Sequence, residues 1–478
     1  MVAFAAVSVP CGISAAKYRP AADEPAAAIH GAYDHIGPMT TFAPPVDVRV
    51  VLATRNGGTS VKPPDHPFDP YSAHVQRDPY PHYADLRDTA PVVRCVLDGR
   101  EVYVLSRDRD VRAALADWET FSSRGGLSLH PRPRHEAGVI IASDPRRPGD
   151  PPGVPDHGDL IRAVAGHFSP RAIARLSGPV RAWAHSLVGD LVSAGSFDTV
   201  AALARVVPTR VVGDLVGLPE ADRYQYADWA AAAMSLQGPD SVIAPHVADR
   251  LGAMREHVTQ LGTNGGLALA GVGAAVFSAA DNDGPLTRQD AISIVWGALI
   301  VAGLHTTVAA LTWALLAAAT YPYQWDRYRN WHRSGDPARL AWTDELLRYE
   351  SIFPLGYRTT TTVAKVDGYV IPARSRVLIL YGAANRDPAR WPAADQFVVG
   401  RHGVGQHLGL GDGTHRCIGQ HLARLETTAV LDAFAAHGVC GFSPVEQQAV
   451  WEPNAAVRGW SRFPMTVTLR EANHAARI

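Results

Sequence analysis

Cysteine is scarce in this chain. Its 478 residues hold four, Cys11, Cys95, Cys417 and Cys440, at long, irregular spacings with no CxxC pair. That argues against a disulfide framework or a zinc site and favours a reducing cytoplasm. Net charge is nearly absent too: 45 Lys and Arg against 46 Asp and Glu leave a formal −1. Nothing in that balance calls for nucleic acid or an anionic membrane as a partner. The short apolar start, Met1 to Pro10, lacks a basic n-region, so a secretory signal is poorly supported. No internal repeat is visible.

What is present is an ordinary globular composition, 47% hydrophobic and 19% charged. Ala- and Pro-rich text runs to about Asp65, and residues 1–60 read as a disordered extension or a misassigned start. Residues 61–478 read as a single domain, long enough to keep a large cofactor dry. Helical patterns dominate: Asp108 to Asp117, Ala172 to Ala194, Asp222 to Met234, Ser241 to Leu261, Thr343 to Tyr349 and Ile418 to His437. Strands are minor. Val92 to Cys95 and Val102 to Leu105 flank Asp98-Gly99, a hairpin signal; Arg358 to Val363 and Val377 to Tyr381 are the other strand-like pieces. Residues 122–156, rich in Gly, Pro and Arg, read as a long loop of the kind that is functional or disordered.

Ala291 to Ala319 is apolar enough to suggest a bilayer span, for which about 20 residues suffice. Three features oppose insertion. His305, Thr306 and Thr307 lie at its centre, where polar groups are expensive. Gly297 and Gly303 interrupt it. Thr287 with Asp290 supplies a soluble-style cap. The reading is a long helix buried inside the protein.

One cysteine stands out. In His407-Leu-Gly-Leu-Gly411-Asp-Gly413-Thr-His415-Arg416-Cys417-Ile-Gly419, a glycine-rich turn delivers Cys417 to a helix start. Glycines allow close backbone approach to a flat ligand. Free N–H groups at a helix N-terminus favour the thiolate, the form that ligates haem iron. A buried free cysteine is the plainer alternative.

The run Gly413-x-His415-x-Cys417-x-Gly419, followed by Leu422-Ala423-Arg424, resembles the haem-binding loop of the cytochrome P450 family. Leu410 stands where that family usually has Phe. Three further stretches carry the resemblance. Glu345-x-x-Arg348 resembles the family's ExxR pair, with Arg401 as the candidate third member. Ala384-Asn385-Arg386-Asp387-Pro388 matches family text. Ala302-Gly303-Leu304-His305-Thr306-Thr307 resembles the oxygen-activating motif, with His305 where Asp or Glu is usual. The resemblance runs from about Pro67 to the C-terminus. It implies a mainly α fold with a minor β region, the cytochrome P450 fold, around one haem b (iron protoporphyrin IX).

The resemblance also assigns roles. Cys417 is the metal ligand, with Gly411 and Gly419 shaping its loop. His415, Arg358 and His157 are partners for the haem propionates. Arg162 is a substitute for family arginines that this chain lacks at Asp159 and Ile161. Thr306 lies beside O2, and His305, which titrates near neutrality, is a candidate proton shuttle. Leu127, Ile140, Ala298, Ala302, Ile352 and Leu355 line the substrate pocket, and Arg124 offers a charge for a substrate carboxylate. The implied activity is O2-dependent monooxygenation, hydroxylation or O-demethylation, of a small apolar or aromatic compound or a natural product. Electrons come from a separate ferredoxin or flavodoxin with its NAD(P)H reductase, docking near Cys417 through Arg416 or Arg424. The chain is expected to act as a cytoplasmic monomer. Two alternatives stay open: oxidative C–C or C–O cross-linking of a peptide or natural product, and a non-catalytic haem-binding or sensing protein.

Overall fold

The computed structural model describes residues 61–240, 243, 246–282 and 284–470. The expectation for residues 1–60, Cys11 and the start of the Ser241 helix lie outside the described residues.

Helices dominate, and small sheets flank them. The Asp98-Gly99 signal produces its hairpin. Val92–Leu97 pairs antiparallel with Arg100–Leu105, Leu97 opposite Arg100. Asp98 and Gly99 have φ of 50° and 72°, the double left-handed conformation that a two-residue hairpin turn needs. The hairpin extends into a five-stranded sheet: Val92–Leu97, Arg100–Leu105, Arg376–Ile379, Gly356–Thr360, Phe121–Ser122. Both later strands begin and end before the stretches read from the sequence. Tyr381 already belongs to a short helix, Tyr381–Ala384.

Helix boundaries follow local chemistry. His157–Phe168 starts at a capping box between Asp156 and Asp159. Pro170–Ala194 starts at Ser169, with Pro at its first position, and stops at Gly195 in the left-handed region. Residues 123–156 contain turns but neither helix nor strand.

The apolar helix spans Arg288–Thr320, and 72% of its most apolar stretch is buried inside the protein. Its Thr287–Asp290 capping box is present. The helix is not uniform. Ile294–Val301 is π-helical, and the Ala302 N–H bonds back to the Gly297 carbonyl. Such widening is common at functional sites. No periodicity could announce it, because Ile294–Val301 is apolar almost all round.

Candidate active site

Cys417 sits where three tight turns converge. Its N–H donates to the Leu410 carbonyl at 2.8 Å, and the Gly411 N–H donates to Leu408 at 2.9 Å. Gly411 and Gly413 have φ of 68° and 63°. A Cβ on Gly413 would lie 2.6 Å from the Leu115 carbonyl, so no side chain fits there. The helix Gln420–Ala436 follows at once. The expectation that this loop alone favours the thiolate is corrected. Burial pushes the thiol pKa up, and the opposing pull of the Gly419 N–H, Arg424 and Arg416 is smaller. A coordinated metal ion would reverse that balance, because a ligating thiol is deprotonated.

Behind the loop lies a buried charge network. Glu345 and Arg348, on Ala341–Tyr349, are fully buried and form two parallel bonds of 2.8 Å. Arg348 also donates to the carbonyls of Asn385, Ala394 and Gln396. Arg401 joins at 3.2 Å from Glu345 Oε1 and donates to Ala393 and Gln396. Glu345 further accepts from the Val398 N–H. Each charge thus has several hydrogen-bond partners, the condition for burying ions tolerably.

His415 and Arg358 are left with unused capacity. Both ring nitrogens of His415 are buried without a partner. Burial, then the charge of Arg358, pushes its pKa well down. Buried Arg358 donates to the Tyr357 carbonyl at 2.8 Å. Two nearby donors with free capacity, beside a cysteine, fit a cofactor carrying two carboxylates. His157 packs edge-on against His415 with centroids 4.4 Å apart, and its nitrogens face the Ile140 and Thr414 carbonyls, each at 3.1 Å. It ties the long loop to the cysteine loop. Asp144, buried and bonded by the Ser123 N–H and Arg147, lies 4.0 Å from His415.

Two expectations are corrected. Arg162 does not face this site: its side chain is 73% exposed and paired with Asp159 one turn earlier. Arg124 is clamped by Asp150 through bonds of 2.8 and 2.6 Å, so its charge is already matched. Leu355, like Ile140 and Ile352, is buried; it belongs to the cluster that includes Leu129, Tyr357 and Leu378. Of the docking candidates, Arg424 is spent on Asp344 at 2.8 Å, whereas Arg416 is exposed.

On the central helix, Ala302 and Thr306 share a face and are partly accessible, as are Ala298 and Gly303; Leu304, His305 and Thr307 are buried. The Thr306 hydroxyl donates to the Ala302 carbonyl at 2.7 Å. A Cβ on Gly297 would lie 3.2 Å from the Gly138 Cα, so the π-helical segment touches the long loop backbone to backbone. Ile140 and Ile352 are buried; Leu127 lies 3.4 Å from where a Cβ on Gly356 would sit. His305 points to a residue that the sequence reading did not single out: its Nε2 is 4.0 Å from Glu452 Oε2. Burial lowers the His305 pKa to about 4, which corrects the expectation of titration near neutrality. Glu452 lies far along the chain, and no local motif marks it.

Comparison with known proteins agrees with this geometry. The pattern of the family described as Cytochrome P450 matches residues 341–435, which include the Glu345 network and Cys417. Cytochrome p450 CYP199A2 of Rhodopseudomonas palustris is 32% identical over 77% of this chain and 86% of its own length. Cytochrome P450 monooxygenase PikC of Streptomyces venezuelae is 30% identical over 85% of this chain and 95% of its own. The solved structure of CYP109Q5 from Chondromyces apiculatus superposes with a TM-score of 0.70 at 27% identity, covering 85% and 99% of the two chains. Membership of the family implies a haem-thiolate cofactor, ferredoxin-type redox partners and O2 as co-substrate. The chain belongs to the cytochrome P450 family and is a monooxygenase, an oxidoreductase, rather than a non-catalytic haem binder.

Proposed function

We propose that this enzyme holds haem b on Cys417 and inserts one oxygen atom of O2 into a small apolar or aromatic compound or a natural product, by hydroxylation or O-demethylation. The observation that carries the reading is His415, two residues from Cys417, whose two ring nitrogens are buried without a partner, together with the charge of Arg358 acting on it. They would hold the propionates, with His157 bracing His415. When bound, the haem supplies the redox chemistry that reduces O2 with two electrons and two protons. The protein's own residues do the rest. The Thr306 hydroxyl spends its hydrogen on Ala302 and keeps lone pairs for the pocket. Ala302 and Ala298 leave room on the same helix face. The apolar character of Ile140, Ala298 and Ile352 supports an apolar substrate face. Among relatives, one is named a vitamin D3 dihydroxylase, which is consistent with hydroxylation. A ferredoxin or flavodoxin with its NAD(P)H reductase supplies electrons, docking on the face of exposed Arg416. The enzyme works in the cytoplasm, where Cys95, Cys417 and Cys440 stay reduced.

A carbon monoxide spectrum of the reduced protein tests the ligand. A strongly red-shifted Soret band is expected, and Cys417→Ala must lose it; retention of the band by that variant sinks the assignment. Product mass then tests the reaction. Gain of one oxygen, or loss of a methylene, supports monooxygenation. Loss of two hydrogens supports oxidative coupling, which one observation favours: the residue before Thr306 is a neutral histidine rather than a carboxylate.

A further inference from the structure

Glu452 has no role in the reading above. It ends the short strand Val450–Glu452, paired with Gly459–Arg462, and meets the central helix at His305. The side chain of His305 is 7% exposed and that of Glu452 27%, so the pair runs from the interior to an accessible end. His305 directly precedes Thr306. The Nε2–Oε2 separation of 4.0 Å is too long for a hydrogen bond and short enough for one bridging water or a small side-chain turn.

The charges around the pair are Arg205 and Asp228. Arg205 pairs with Asp228; its charge lowers the pKa of both His305 and Glu452, and Asp228 raises that of Glu452. Burial is the larger influence on each. It holds His305 near 4 and pushes Glu452 up to about 7. Near neutral pH the pair therefore carries one labile proton, on the carboxyl.

We propose that Glu452 positions the protons used in oxygen activation, taking each from solvent and passing it through His305 toward Thr306. This rests on the monooxygenase reading. Per turnover, O2, two electrons from the redox partner and two protons become one water and one oxygen atom in product. Glu452 gives up the carboxyl proton to His305 Nε2. The imidazole releases its other proton from Nδ1 into the interior, from where a bridging water carries it to Thr306 on the adjoining helix face, and its tautomer resets before the next transfer. Glu452 regains a proton from solvent. Neither residue is consumed, and no further reductant is required.

The test uses the holoenzyme with ferredoxin, ferredoxin reductase and NADPH, without added substrate. Oxygen then leaves as hydrogen peroxide or, after two more electrons and two more protons, as water. Glu452→Gln is expected to raise the peroxide share severalfold. It is also expected to abolish the fall in water formation above pH 7, since that fall reflects loss of the carboxyl proton. Glu452→Asp should restore a fall at a changed midpoint. Infrared titration of the holoenzyme gives a readout free of turnover: a protonated-carboxyl band fading near pH 7, absent in Glu452→Gln. A wild-type protein without the red-shifted carbon monoxide band sinks the haem-thiolate reading and this proposal with it. If the band is present and Glu452→Gln keeps the wild-type peroxide share, pH profile and carboxyl band, the proposal alone fails.

Discussion

The segment behind Cys417 and the centre of the long apolar helix bury ionisable groups in opposite ways. At Glu345, Arg348 and Arg401, two cations surround one carboxylate, and backbone carbonyls and an N–H complete the set. At His305 and Glu452 the partners stand 4.0 Å apart, and burial drives each toward its neutral form. The first arrangement keeps its charges and fixes backbone. The second is suited to exchanging a proton. Complete hydrogen bonding makes a buried charge a structural element; incomplete bonding makes a buried acid or base responsive to pH.

The contrast breaks most violently at Glu345. Glu345→Ala leaves Arg348 charged and buried without its carboxylate, which costs about 3–5 kcal/mol. Equilibrium unfolding in urea should show that loss, together with a fall in haem content. Gly413→Ala comes next. Its φ of 63° costs a side chain about 1–2 kcal/mol, and the new Cβ meets the Leu115 carbonyl besides. The thermal midpoint should drop and the Cys417 loop should lose haem on gel filtration.

Stability against pH sharpens the other half. His305 has a folded pKa depressed to about 4, so its contribution is present above its unfolded value of 6.5 and is lost as pH falls toward 4. Glu452 has a folded pKa raised to about 7, so its contribution is present below its unfolded value of 4.5 and is lost as pH rises toward 7. Between 4.5 and 6.5 the folded pair holds one proton and so does the unfolded pair, and the two slopes cancel. Single variants should uncover them. Glu452→Gln makes stability rise with pH across that window, and His305→Asn makes it fall, each by about 1.4 kcal/mol per pH unit. Parallel profiles for the two variants would remove the distinction between the regions.

The smallest effect is expected at the surface. Arg162→Ala removes one exposed ion pair, worth about 0–1 kcal/mol, and should leave the haem spectrum unchanged. A spectral shift would return Arg162 to the site.

Much of this arrangement was legible in the sequence, for physical reasons that differ by element. The hairpin could be read because only a few residue pairs tolerate two left-handed positions, and Asp98-Gly99 is one. The central helix could be read from its cap. Cys417 and the Glu345–Arg348 spacing carried specific local patterns. The π-helical turn could not be read, since apolar residues on all sides give the helix no phase. Arg162 and Arg124 were misplaced because a sequence does not show which nearby carboxylate reaches a guanidinium first. Glu452 was missed because its partner, His305, lies in a different part of the chain and meets it only through tertiary packing.

The guanidinium groups of Arg348 and Arg401 have a further consequence for how the chain assembles. Together they collect the carbonyls of Asn385, Pro392, Ala393, Ala394 and Gln396, in a stretch with no strand and, beyond the short helix ending at Ala384, no further helical element before Val404. Two side chains thus stand in for a missing ladder of backbone hydrogen bonds. A ladder can grow one rung at a time. A hub cannot: until the helix Ala341–Tyr349 is seated and Arg348 is in place, the carbonyls of Asn385 and Ala394 lack the donor that the folded chain gives them. The peptide behind the cysteine loop is therefore held in its full set of bonds only with that helix in place, so the rigidity of the surface that receives the cofactor depends on a side chain far from it in the sequence.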